Sequence, residues 1–237
     1  MKQLLRFLLL LALAVTSGCG GGSTSMSNSS AQLRSIVTSG DNSGFDVQVD
    51  GHTVFPQGGM VTYKPAAVGS HTLQVAAPGT DTALTSLAAN FAANSSHTVV
   101  TSGNTEGQSL TEFLVTEDTS APPSGQIKFR FVHGAHAVGP IDIYVADAGN
   151  ALPGTPTFAN VPFKAATPVM LRPDQSFSVC WVNAGTTFGP FDGRCNWEIF
   201  GGTHFPKNST LVLPDVPVDP NAPPGTVVFL LFGAYGN

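Results

Sequence analysis

The sequence predicts an all-β fold, two tandem antiparallel sandwiches behind an N-terminal export segment, and three observations predict it. Alternating apolar and polar stretches recur at spacings of ~8 to 12 residues, punctuated by Gly, Pro and Asn. No long helical period competes with them beyond the apolar opening of the chain. Finally, Gln126–Ala146, QIKFRFVHGAHAVGPIDIYVA, is echoed by Gln32–Asp50, QLRSIVTSGDNSGFDVQVD. In each copy a strand crosses a polar, Gly-containing loop into a second strand that opens on an aspartate, Asp46 or Asp142.

Composition is consistent with this and removes one class of partner. The 237 residues accommodate two domains of roughly 100 residues each. Charged residues make up only 11% of the chain, against about 25% in ordinary soluble domains. Solubility must therefore come from Ser, Thr, Asn and Gln. The net charge is -5, and no cluster of basic residues follows the first few positions. Phosphate-backbone binding needs such a cluster, so nucleic acid is not an expected partner. A hydrophobic share of 42% with 16 Phe is enough to fill a core.

The opening residues carry Lys2 and Arg6, the apolar run Phe7–Val15, and then Thr16-Ser17-Gly18-Cys19. The apolar run is far shorter than the ~20 residues that span a bilayer, and the pattern is that of a signal helix over residues 1–18. Small residues before a cysteine resemble the lipobox of bacterial lipoproteins. That resemblance implies acylation of Cys19 and a membrane anchor, and Gly20 in place of aspartate implies the outer membrane. The tract GGGSTSMSNSSA follows, so residues 19–31 read as a flexible tether.

The first repeat is expected over 32–118. Asp46–Val49 and His52–Phe55 flank Asp50-Gly51, a strong hairpin dipeptide. Further strands are expected at Val61–Tyr63, Thr72–Ala76, Ser86–Phe91, His97–Thr101 and Leu110–Thr116. Glu117–Gly125, EDTSAPPSG, reads as the boundary, with nothing to bury, and 119–125 as the linker.

The second repeat is expected over 126–237. Ile127, Phe129 and Phe131 alternate with Lys128, Arg130 and Val132, giving one apolar and one largely polar face. Ile141–Val145 follows, then a Pro/Gly-rich excursion to Val161 and a strand at Thr167–Leu171. Ser176–Val182 and Cys195–Phe200 read as hairpin partners, and Val227–Phe232, apolar on both faces, as a central or covered strand.

Arg130-x-x-His133, the Gly/Ala-rich loop after it, Asp142-Ile143-Tyr144-Val145 and Val68–Val75 resemble a bacterial envelope family catalogued as a domain of unknown function. Its repeats read R-V-x-H-A-S-P-D-A-P-x-V-D-V-Y-V-D-G. The resemblance implies secreted or surface-attached β-sandwich repeats of the Ig-like kind and supplies no catalytic residues.

Acylation of Cys19 would leave Cys180 and Cys195 on adjoining strands, where a disulfide is expected in an oxidising compartment, with two buried thiols as the alternative. Such a bond would contribute about 3 kcal/mol on the chain-entropy model. It would bracket Phe188 and Phe191, which form a candidate binding loop for a sugar or a partner if they do not fold back under the loop. His133, His136 and Asp142 are ligand types for zinc, but their spacing is not that of a zinc site. No cofactor is implied, and neither a nucleophile elbow nor a phosphate-cradling loop is present. Glu198 beside Trp197 is the only suggestive carboxylate. The expectation is therefore a lipid-anchored, non-catalytic structural or binding module at the cell envelope. Its partners would be the membrane, a cell-wall glycan or another envelope protein, and a hydrolase is the reading from a different class.

Overall fold

The structure is a computed structural model that describes residues 29–39, 44–58, 62–105, 109–186, 196–200, 208–213 and 230–233. Its strands fall into two sets with one design. The first holds β1 (Ala31–Val37), β2 (Asp46–Val49), β3 (His52–Phe55), β4 (Lys64–Ala66), β5 (Gly69–Ala76), β6 (Ala83–Phe91), β7 (Ser96–Ser102) and β8 (Thr111–Glu117). The second holds β9 (Gln126–His133), β10 (Ile141–Asp147), β11 (Phe158–Val161), β12 (Met170–Pro173), β13 (Phe177–Asn183), β14 (Asn196–Phe200), β15 (Asn208–Leu213) and β16 (Leu230–Gly233).

The first set forms sheets of order β4-β1-β7-β8 and β3-β2-β5-β6; the second forms β12-β9-β15-β16 and β11-β10-β13-β14. Replacing each strand by its counterpart in the other repeat converts one pair of sheets into the other. The duplication read from the sequence is thus a duplication of topology, and the fold is all-β. Pairing is antiparallel except at one place in each repeat, where β1 runs parallel to β7 and β9 parallel to β15. These parallel pairs arise because the opening strand does not pair with the strand that follows it. Instead it inserts between the fourth and seventh strands, while the second joins the facing sheet.

Several elements differ from expectation. The strand expected at Val61–Tyr63 lies later, at β4, an edge strand that tolerates Pro65 because an edge leaves one side of the ladder open. The one expected at Thr167–Leu171 begins at Met170. β11 lies inside the Pro/Gly-rich excursion, and β15, a central strand, falls outside every stretch expected to be a strand. Among the described strands β16 lies at the end of its sheet, so of the two placements expected for it, central or covered, it does not take the central one.

Each repeat has a core between its sheets. Leu33, Phe45, Val47, Phe55, Leu73, Val75, Phe91 and Val99 fill the first. Ile127, Phe129, Phe131, Ile143, Phe177, Val179, Trp181 and Leu211 fill the second, with Phe129 stacked on Phe177 at 4.6 Å between centroids. A third cluster joins the repeats: Ile36, Val100, Phe113 and Val115 meet Val132 and Val212. Ile36 and Val132 hold equivalent places on β1 and β9, as do Val100 and Val212 on β7 and β15. The sheets therefore pack through matching faces, as two subunits of an isologous dimer do. The largely polar face of β9 therefore faces the other repeat, with Lys128 and Val132 buried.

Candidate binding surface and the groups around it

The motif residues act on the backbone. Asp46 and Asp142, equivalent openers of β2 and β10, are both buried. Asp46 Oδ1 accepts from Gln57 N at 2.7 Å and Oδ2 from Gly79 N at 2.9 Å. Asp142 repeats this with Asn160 N at 2.7 Å and Gly185 N at 2.9 Å. All four donors belong to residues with positive φ, between 51° and 76°. Each aspartate thus pins two loops whose backbone would otherwise be left unpaired.

Arg130, from the Arg-x-x-His motif, serves the join between repeats. It and Arg34, its equivalent on β1, converge on one carboxylate, Glu117. Arg34 Nη2 donates to Glu117 Oε1 at 3.0 Å and Arg130 Nη2 to Oε2 at 2.5 Å. Thr98 donates to the same Oε1, and Arg34 lies 4.9 Å from the Tyr63 ring centroid. Burial pushes the Glu117 carboxyl up, but Arg130, Arg34 and Thr98 outweigh it and hold the group below the usual carboxylate range. The boundary therefore does bury something, because Glu117 closes β8 with its side chain only 6% exposed. Lys128, also buried, reaches Asp118 at 3.0 Å and the Ser120 carbonyl. The Ser120 hydroxyl first, and then Lys128, bring Asp118 down to about 2.

The residues singled out for metal chemistry are engaged elsewhere. His133 Nε2 meets the Gly139 carbonyl at 2.9 Å and its ring is buried. His136 is exposed and edge-on to Phe163. Asp142 has both oxygens on backbone donors. Among the described residues no three His, Cys, Asp or Glu side chains gather to hold a metal. Cys180 is fully buried on β13, where its register partner is Trp197. Cys19, Cys195, Phe188 and Phe191 lie outside the described residues, as do the side chains of Trp197 and Glu198.

One open surface depression is formed where β5 and β6 meet the β2–β3 turn, with a volume of about 470 Å³. Asp50 and Gly51 both have positive φ, 52° and 77°, as a type I′ hairpin requires. That turn carries Asp50 over the end of β5. Its Oδ1 accepts from Thr72 N at 2.8 Å and its Oδ2 meets His71 Nδ1 at 2.7 Å. The Thr72 amide first, then His71, hold the Asp50 carboxyl below its ordinary range. His71 is fixed in turn by the Ala67 carbonyl at 3.0 Å and by stacking on buried Phe91 at 5.1 Å. Ser70 pairs with Asn90 and Thr72 with Ala88 across the strands, and all four are exposed. The sequence marked Asp50-Gly51 only as a turn. The signal that could have revealed more is the outward set Ser70, Thr72, Ala88 and Asn90, small or uncharged at every alternate position.

Among solved structures the chain is similar to the product complex of SpuA, a multi-modular glycogen-degrading pneumococcal virulence factor, at 7% identity and a TM-score of 0.28; 80% of the chain is covered. It spans 21% of that protein's length. It is also similar to family 41 carbohydrate-binding modules from streptococcal virulence factors, in a structure of alpha-glucan recognition, at 6% identity and a TM-score of 0.25, covering 79% of this chain and 94% of that one. A streptococcal virulence factor described for alpha-glucan binding gives 8% identity and a TM-score of 0.25, with coverages of 78% and 92%. Comparison with curated proteins gives no match. Residues 31–144, the whole first repeat and the start of the second as far as Tyr144 of β10, match the family model DUF4397, a domain of unknown function.

Proposed function

We propose that this chain is a lipid-anchored module of the cell envelope that acts by contact, holding or binding an envelope component. The observation that carries this reading is where the charged residues of its repeated motifs go. Asp46, Asp142, Arg34, Arg130 and Glu117 all pin loops or join the repeats. At the outward positions Ser70, Thr72, Ala88 and Asn90 of β5 and β6 the side chains are small or uncharged, with the Asp50 carboxylate beside them. The anchor is Cys19, acylated behind its signal segment, and the residues after it are the tether. More than one acyl chain on that cysteine gives stable attachment where a single chain would not. Cys180 and Cys195 form a disulfide that fastens β13 to its neighbour.

Two measurements test this. Intact mass of membrane-extracted protein shows acyl mass on Cys19, and Cys19→Ala moves the chain to the soluble fraction; retention of that variant in the membrane contradicts the anchor. Purified protein binds washed envelopes saturably, and failure to bind any envelope fraction contradicts the contact reading.

A further inference from the structure

Resting on that contact reading, we infer that the depression bounded by Asp50, Ser70, Thr72, Ala88 and Asn90 is a saccharide subsite for a neutral sugar carrying adjacent hydroxyls. The chemistry of the lining selects this class. Asp50 is an ionised carboxylate whose side chain is 50% exposed, yet it is fixed by His71 and the Thr72 amide. Each of its oxygens keeps acceptor capacity toward solvent, which suits two neighbouring hydroxyl donors. The Asn90 amide, opposite Ser70 in the strand register, offers both donor and acceptor to the same hydroxyl pair. Ala88, opposite Thr72, leaves a shallow apolar floor on which ring C–H groups can rest.

Charge sets the sign. No Lys or Arg lines the depression, so a sulfated, phosphorylated or uronic sugar would face the Asp50 carboxylate uncompensated. Preorganisation comes from the layer beneath. Phe91 is 1% exposed, stacks on His71 and lies tilted against His97, so the histidine that orients Asp50 rests on the core rather than on a mobile loop. The lining faces outward from β5 and from β6, the last strand of its sheet, so an uncharged peptide that could add along β6 is the competing occupant and serves as a control in the test.

The test titrates the full-length chain in detergent with neutral oligosaccharides (malto-, cello- and N-acetylglucosamine oligomers), with an alginate oligomer as the anionic control and an uncharged peptide as a further control. At least one neutral oligomer binds with a Kd of about 1 mM or tighter. Asn90→Ala and Asp50→Asn each weaken it by about tenfold or more. Asp50→Asn keeps the fold, because Asn-Gly is itself a favoured type I′ pair, and an unchanged melting temperature verifies this. Binding of the alginate or the peptide alone, affinity untouched by both variants, or no neutral oligomer binding at about 10 mM overturns the subsite. If the unmodified chain sediments with washed envelopes but binds no neutral oligomer, the subsite falls and the contact reading stands; if the unmodified chain fails to sediment, both fall.

Discussion

Replacing Glu117 with glutamine removes the carboxylate that bridges two guanidinium groups belonging to different repeats. In the native protein the Arg34 side chain is 2% exposed, that of Arg130 11% and that of Glu117 6%. The variant is nearly isosteric, so packing at the Ile36–Val132 contact is kept and the charge alone changes. Removing one partner of a buried ion pair costs about 3–5 kcal/mol, because the remaining charges stay desolvated without compensation. Relief of the desolvation of Glu117 itself offsets part of this, which leaves about 3 kcal/mol. For a chain of this length that corresponds to a melting temperature lower by about 6–12 °C. Because the cluster bridges the repeats, its loss also weakens their coupling. Calorimetry should therefore show the single native transition broadening or splitting in two. Replacing all three residues together, with Arg34→Met, Glu117→Leu and Arg130→Met, should recover most of the loss, since an apolar set has no charge to leave stranded. A drop of under about 2 °C with one sharp transition in Glu117→Gln would refute the claim that this carboxylate joins the repeats.

Asp142→Ala strands the Asn160 and Gly185 amides and should cost about 2–5 kcal/mol by urea unfolding; Asp46→Ala, which strands Gln57 and Gly79, should match it within about 1 kcal/mol. Burial, with no partner for Oε2 among the described residues, raises Glu112 to about 7, against Thr85 and Lys164, which act the other way. The native state then holds a proton that the unfolded chain has lost, so stability falls as pH rises from about 4.5 to about 7 and is flat above. Discounted for partial solvent screening, the fall is about 1–3 kcal/mol, and Glu112→Gln should abolish it in melts taken across that range. A thiol-reactive label should miss Cys180 and Cys195 in unfolded, unreduced protein and add to both after reductant, and labelling without reductant would end the proposed disulfide. Cys180→Ala with Cys195→Ala should lower stability by about 3 kcal/mol in the same urea assay.

The strand pattern was legible where alternation survived at both faces. β2, β3, β5 and β10 fall close to where period-two alternation places them, and the Asp50-Gly51 turn has the backbone its residue types demand. β15 does not show in the alternation pattern because Asn208-Ser209-Thr210 opens it with three polar residues, a composition that suits a loop until a parallel neighbour pairs with it. The family match over the first repeat agrees with the resemblance read from the sequence, although the motif itself is plainer in the second copy.

By itself the sequence determined the repeat, the all-β class and the inward faces, because alternation along a strand is a local property that each residue carries. Only the tertiary structure decided what the other faces meet. Lys128, Arg130 and Val132 read only as a largely polar strand face until the matching sheet of the first repeat covers them and brings Glu117 from β8 into reach. The same holds for Asp50, His71 and Asn90, which come from three different strands or turns and share a surface only because β5 lies between the other two. Whether a polar side chain is solvated, paired or bound to a ligand depends on distance through space, and no spacing along the chain encodes that distance.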